Sequence, residues 1–406
     1  MLRDSKSRHD QIISANSTVV RNINRGNILH CIRERQPISR AEIARITRLN
    51  KTTVSSIVGS LLKDNLLSES VQRNSNIGRN PISLELKTGQ NFFGAISIDS
   101  GTTRVALIDV DGSMLDTDKI PTRDCSASEF IEETIVLVKS LQTRNRIGSL
   151  KGVGLSIAGI VDPAQSKVVF APNLGWYNIA VGETLSKHFP PTCVTAIEND
   201  AKSSALAEMW FGKQGVRLSN FIFLAVGRGI GAGIVIDRRI LSGESHFAGE
   251  FGHMVLVEGG ELCACGNHGC WEAYASDQAT VRRYRKALGG GVKEGNELTI
   301  DDVLAAAKAG EHAAIQELQL TGYWLGVGIA NIVKAVDPAY TIVGGHITRI
   351  WDLIERNVIA SAHSRAFSGN GRAPAITATS LNKRPSLLGA AALAMSKAFG
   401  VVRVTR

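Results

Sequence analysis

Residues 92–111 read FFGAISIDSGTTRVALIDVD, and residues 221–237 read FIFLAVGRGIGAGIVID. Each stretch is an apolar run, a Gly/Thr or Gly-rich turn, a second apolar run and a polar turn. That is the pattern of a β-hairpin whose tip offers bare backbone N–H groups. Such a tip suits an anionic or polyhydroxyl ligand. Two of them in one chain predict an α/β body built by duplication, with two lobes and a cleft between them.

The stretch between the hairpins fits that body. Residues 152–170, GVGLSIAGIVDPAQSKVVF, predict a buried strand, a turn at Gly159 and a further strand after Asp162-Pro163. Ile197-Glu198-Asn199-Asp200 ends another apolar strand and leads into a helix over 201–210. An Asn-Asp pair there can hold sugar hydroxyls, and the Asp can act as general base. The same pair also serves as a helix N-cap.

Residues 249–272 read GEFGHMVLVEGGELCACGNHGCWE. His253, Cys263, Cys265 and Cys270 supply one imidazole and three thiols, a set suited to tetrahedral zinc. Gly266 and Gly269 permit the tight turns such a site needs. The alternative is a group of reduced, buried thiols beside a core histidine. A closed Cys₃His site has no open position for water, so the metal is structural, one per chain. Glu250 and Glu272 flank it. With the second imidazole nitrogen of His253 they make a set able to accept from and donate to sugar hydroxyls.

The amino-terminal segment has a different character. Residues 1–90 hold 15 Lys and Arg against 7 Asp and Glu, a net of +8. The rest of the chain holds 31 against 30, a net of +1. A basic segment on a neutral body predicts an anionic partner, double-stranded DNA. Ile28, Leu29 and Ile32 mark a first helix, which Pro37 ends. Ser39 and Glu42 form a capping box for a second, whose buried side is Ile43, Ala44 and Ile46. Asn50 caps a third, with Val54, Ile57, Val58, Leu61 and Leu62 as its apolar stripe. Lys51, Thr52, Thr53, Ser55 and Ser56 make the start of that helix polar, as a recognition helix requires; an ordinary surface helix looks similar. Leu66-Leu67, the turn over 74–81 and the alternation of Ile82, Leu84 and Leu86 then add a two-stranded wing. Arg40, Arg73 and Arg79 join the predicted DNA contacts.

In a chain of 406 residues, 44% hydrophobic and 20% charged, composition excludes a disordered or collagen-like polymer and a disulfide miniprotein. No apolar run is long enough to span a bilayer, so no membrane partner is expected. The first residues, Met1-Leu2-Arg3-Asp4-Ser5-Lys6, lead into no apolar signal region, which predicts a cytoplasmic protein.

From about Arg21 to Phe399 the chain resembles the ROK family (repressors, open reading frames and kinases), in its branch of sugar repressors of the xylose, glucose and N-acetylglucosamine type. The motif G-H-x9-C-x-C-x4-C-x-E runs intact from Gly252 to Glu272. The resemblance implies an actin-like ATPase body behind a winged helix-turn-helix. It implies domains at 1–90, at 91–198 with 383–406 (smaller lobe), and at 199–382 (larger lobe, with zinc site and dimerisation surface). It places Asn199, Asp200, Glu250, His253 and Glu272 at the sugar and Asp200 at the kinases' catalytic base. Asp99, Gly101 and Thr103 match the first phosphate loop; Gly227, Arg228 and Gly229 match the second. Thr102 and Arg228 replace a Gly and a Thr of the kinase pattern, and only Gly344-Gly345-His346 remains of the adenosine segment. These departures predict a regulator, not an enzyme: a repressor that leaves its operator when a monosaccharide or sugar phosphate binds. It is expected to work as a homodimer or tetramer. The alternative is an ATP-dependent sugar kinase with an accessory domain.

Overall fold

The computed structural model describes residues 17–71, 82–123, 125–215, 218–289, 298–365, 375–381 and 384–399. The chain forms two compact units that part between Lys87 and Thr88.

The first unit runs α1 (Ser17–Arg35), β1 (Ile38–Ser39), α2 (Arg40–Thr47), α3 (Lys51–Lys63), β2 (Leu67–Val71) and β3 (Ile82–Leu86). The helix starts follow their caps. The Ser39 side chain accepts from the Glu42 N–H while Glu42 accepts from the Ser39 N–H, and Asn50 accepts from the Thr53 N–H at 2.7 Å. Ile28, Ile32, Ile43, Val54, Ile57, Val58 and Leu61 form the core beneath a three-stranded sheet ordered β1-β3-β2. Two details depart from the periodicity. The first helix begins at Ser17, earlier than its apolar stripe. In β3 it is Ser83 that is buried and Ile82 that is exposed, because β1 pairs Ser39 with Ser83 over that end of the strand. The predicted turn over 74–81 lies outside the described residues.

The second unit opens with β4 (Phe92–Ile98), β5 (Thr102–Asp109) and β6 (Met114–Pro121). There follow α4 (Ala127–Arg144), β7 (Gly152–Ile157), β8 (Ile160–Asp162), β9 (Lys167–Ala171), β10 (Trp176–Ile179), α5 (Val181–His188) and β11 (Val194–Asn199). The chain crosses into its other half through α6 (Asp200–Phe211), then β12 (Phe221–Val226), β13 (Ile230–Ile236) and β14 (Arg239–Ile240). It ends with α7 (Glu272–Ala275), α8 (Asp277–Ala287), α9 (Ile300–Lys308), α10 (His312–Val336), β15 (Tyr340–Gly345), α11 (Trp351–His363), β16 (Ile376–Ala378) and α12 (Pro385–Phe399).

Both predicted hairpins are present, as β4–β5 and β12–β13. Their sheets are ordered β6-β5-β4-β7-β11 and β14-β13-β12-β15-β16. Numbered within its own lobe, each reads 3-2-1-4-5, antiparallel through the hairpin and parallel beyond it. The body is thus a duplicated α/β fold with two cores. One centres on Ile96, Phe130 and Leu155; the other centres on Leu224, Trp271 and Leu325.

The last helix packs on the first of these sheets. A Cβ on Gly154 would lie 1.7 Å from the Ala390 carbonyl oxygen, so only glycine lets α12 approach β7. Ser386 Oγ reaches Ser97 Oγ at 3.0 Å, and Lys397 Nζ donates to the Thr195 carbonyl. The loops that carry Asp99, Gly159, Asp200, Gly227 and His346 leave the carboxyl ends of strands with a parallel neighbour, where open α/β sheets hold their ligands. Among the described residues no helix is long and apolar enough to cross a membrane.

Candidate functional site

The cysteine-rich stretch forms a small hairpin, held by the bridges Val255↔Cys270 and Leu262↔His268. Gly269 sits at φ +77°, and a Cβ there would meet the Val257 carbonyl oxygen at 1.7 Å. His253 Nδ1 lies 3.6 Å from Cys263 Sγ, and Cys265 Sγ lies 3.7 Å from Cys270 Sγ. All four ligand atoms fall within 4.8 Å of one another. A tetrahedral zinc ion with ordinary bond lengths needs S···S edges of about 3.8 Å and S···N edges of about 3.6 Å. Two edges thus already match a tetrahedral ion, and the four ligand atoms are close enough to share one. Burial pushes the Cys263 thiol up to about 12, so a metal entering here must displace its proton.

The carboxylates gather beside this hairpin. His253 Nε2, the nitrogen turned away from the thiols, is 4.0 Å from Glu250 Oε2. Burial raises the Glu250 carboxyl above its usual range, and the charges of His253 and Lys202 offset part of that rise. Glu272, first residue of α7, accepts the Ile230 N–H at 2.9 Å through Oε2. A Cβ on Gly229 would sit 2.3 Å from the same oxygen. Glu272 thus ties the cysteine hairpin to the second Gly-rich loop. Asp200, first residue of α6, is half-buried; burial, aided by the charge of Asp99, pushes its carboxyl up to about 7.

Asn199 realises the capping alternative. Its Oδ1 accepts the N–H groups of Ala201 and Lys202, and its Nδ2 donates to the Gly159 carbonyl at 2.9 Å. One Nδ2 hydrogen is left over, the only polar capacity the side chain does not spend on these three contacts. Asn199 pins the start of α6 to the Gly159 turn and so aims Asp200.

The phosphate-loop positions divide. Asp99 is exposed and accepts the Ser100 N–H; Gly101 faces open space. Thr103 turns inward instead, fully buried, and shares a 2.9 Å hydrogen bond with Thr122. In the second loop the Gly227 N–H is spent on the Gly229 carbonyl, and Gly227 O accepts the Asp277 N–H. Arg228 is exposed and lays its guanidinium on Gln278, Nε at 3.0 Å and Nη2 at 3.3 Å once the amide is turned to accept.

Several charged residues escaped the sequence reading. Lys202 is buried and donates to the His246 carbonyl at 2.8 Å. Glu198 is buried too, and burial pushes its carboxyl up to about 7. His246 Nε2 lies 3.6 Å from Asp162 Oδ2, one residue on each side of the two halves of the body. The Asp277 partner of His346, itself the end of the reduced adenosine segment, was also missed: His346 Nδ1 meets Asp277 Oδ2 at 2.8 Å, which raises the histidine pKa. The signal available was the helix itself: DAKSSALAEMWF has no polar face, so its Lys and Glu had to be inside.

In the first unit, Lys51, Thr52, Ser55 and Ser56 lie exposed on one side of α3, and Thr53 is half-buried. Arg40 does not stand free: its guanidinium pairs with Glu69 at 2.6 Å. Arg73 and Arg79 lie outside the described residues.

Comparison with known proteins follows the same division. The xylose repressor of Bacillus spizizenii is 29% identical over 395 residues, covering 96% of this chain and 99% of that protein. A glucokinase of Streptomyces coelicolor is 34% identical over 316 residues, covering 74% of this chain and 96% of that enzyme. The crystal structure of a ROK family transcriptional regulator, a homologue of the Escherichia coli MLC protein, superposes with a TM-score of 0.80. It covers 94% of this chain and 98% of its own at 24% identity, a likeness of fold. The sequence profile of the ROK family matches residues 95–397, and the chain belongs to that family.

Proposed function

We propose that this protein is a sugar-responsive transcriptional repressor. The observation that carries the reading is one of extent. The xylose repressor matches nearly the whole chain, including the basic first unit, whereas the glucokinase covers about three quarters of it. Both kinds of relative imply a sugar in the cleft; the repressor also implies DNA.

The first unit then acts as a winged helix, with the exposed face of α3 in the major groove. The body holds the sugar between Asp200, Glu250 and His253 Nε2, which can accept and donate hydroxyl hydrogen bonds together. Glu272 and Asn199 position these groups and need not touch the ligand. His253, Cys263, Cys265 and Cys270 would hold one zinc ion, which stiffens the hairpin when bound and has no open coordination position for chemistry. A homodimer would match a two-fold operator. Sugar binding would favour the form with low operator affinity, and a few kcal/mol of preference suffices.

The test is a mobility-shift titration on DNA upstream of the protein's own gene, at fixed salt, with a panel of monosaccharides and their phosphates. Glu250→Ala should bind the DNA as the unaltered protein does and lose the sugar response. A response that survives the substitution removes the cleft from the reading.

One observation favours a second reading, an ATP-dependent sugar kinase. The Asp200 carboxyl, pushed up to about 7, is tuned as a general base should be. Against it stand the inward Thr103 and the Arg228 side chain lying where a smaller residue would leave the loop open. Sugar-dependent ATP turnover that disappears in Asp200→Asn would establish the kinase.

A further inference from the structure

An open groove of about 320 Å³ lies in the first unit, between α1 and α3. Val20, Arg21 and Asn24 line it from α1, and Thr52, Thr53 and Ser56 from α3. Residues 20, 21 and 24 share one face of α1; 52, 53 and 56 share one face of α3. Ile57, buried, closes the floor. The groove thus has an apolar bottom and polar lips of hydroxyl, amide and guanidinium groups.

The position of this groove along α3 matters. One turn further along α1, Arg25 reaches Ser60 Oγ at 3.1 Å and pairs with Asp64 at 2.7 Å, both at the far end of α3. The amino end of α1 therefore lies beside the amino end of α3, the end that carries Lys51, Thr52 and Ser55. The two arginines differ accordingly. Arg25 is neutralised by Asp64 and braces the helix pair. Arg21 is exposed and has no acidic partner among the described residues.

We propose that this groove seats one phosphodiester strand of duplex DNA, with Arg21 as the cation that contacts its phosphate. The inference rests on the DNA-binding reading and deepens it, because the footprint then includes α1 as well as the face of α3. Hydroxyls of Thr52 and Ser56 and the Asn24 amide can donate to phosphate oxygens, as such groups do at DNA backbones. The surplus of basic residues in this part of the chain supplies the field that draws a polyanion to it.

The test uses the full chain and a fluorescent duplex of random sequence, about 30 base pairs long, since phosphate contacts persist without a specific site. Affinity is measured by anisotropy at a series of salt concentrations. For the unaltered protein, log K should fall linearly with log salt. Arg21→Ala should make that slope shallower by about 0.9, the loss of one phosphate contact, and weaken binding about 3- to 10-fold at low salt. Arg21→Lys should restore the slope, and the melting temperature of both variants should match the parent. A slope unchanged in Arg21→Ala overturns the groove as a backbone seat. If the unaltered protein shows no salt-dependent binding at all, the DNA-binding reading itself falls, a separate result visible before any variant is made.

Discussion

Burial pushes the carboxyls of Glu198, Asp200 and Glu208 up to about 7, and all three stand on or beside α6. A carboxyl whose pKa rises on folding holds its proton more tightly in the native state than in the unfolded chain. Its ionisation therefore costs stability, and that cost grows as pH climbs from the ordinary carboxylate range towards 7. Asp200→Asn removes one such cost. The variant should melt higher than the parent at pH 8, by about 2–4 °C, and at the same temperature at pH 3, below the ordinary carboxylate range. Thermal melts of the sugar-free protein at the two pH values check this; equal gains at both would mean that the carboxylate is not held in an unfavourable place. The residue scale is also where sequence reading is weakest. His253 and the three cysteines declare themselves by type and spacing. The Glu272 contact to Ile230 joins residues 42 apart, and nothing local in either stretch encodes it. Lys202 was hidden for a different reason: lysine ordinarily marks a solvated face, and here it is inside, held by the His246 carbonyl.

At the scale of elements, local chemistry decided more. The capping box at Ser39 and the Asn50 cap set the starts of α2 and α3, and the paired hairpins set the hearts of both sheets. What periodicity could not supply was the long-range partner of each element. Gly154 shows the difference. In sequence it is one more glycine in a buried strand; in the fold it is the point where α12 lies against β7. Gly154→Ala should force these elements apart and cost more than about 3 kcal/mol, beyond the usual range for an overpacked side chain because the obstacle is backbone. A urea midpoint close to that of the parent would contradict the close approach. The cysteine hairpin gives a second prediction. If the four residues hold the proposed zinc ion, a chelator takes away the hairpin's brace, and Glu272 loses its fixed place against the second Gly-rich loop. The Ile230 amide should then exchange with solvent deuterium at least about tenfold faster, while amides at the centre of β5 keep their rates. An Ile230 amide indifferent to the chelator would uncouple the hairpin from the loop.

For the whole molecule, the division of charge and the duplication of the sheet point the same way. The net positive charge is concentrated in the unit before Thr88, and the groups able to hold a polyol lie in the neutral body after it. One sheet order, 3-2-1-4-5, occurs twice, and corresponding strand ends carry Asp99 and Asn199 in one half and Gly227 and His346 in the other. His246 and Asp162 meet at 3.6 Å across those halves, so a ligand that shifts one half against the other must act on that contact. If a sugar in the body governs DNA binding by the first unit, the two affinities are linked and the linkage is reciprocal. The factor by which saturating sugar weakens DNA must equal the factor by which saturating DNA weakens sugar. A useful repressor needs a factor of about 5–150, the ordinary span of allosteric coupling. Titration calorimetry for the sugar, with and without operator duplex, and anisotropy for the duplex, with and without sugar, give the factor twice. Breaking the interlobe contact with His246→Ala should lower it in both measurements while each affinity measured alone changes little. A factor of one in the unaltered protein would mean that the sugar and the DNA are bound by the same chain without regulation. A factor that His246→Ala leaves intact would place the coupling elsewhere than in the contact between the halves.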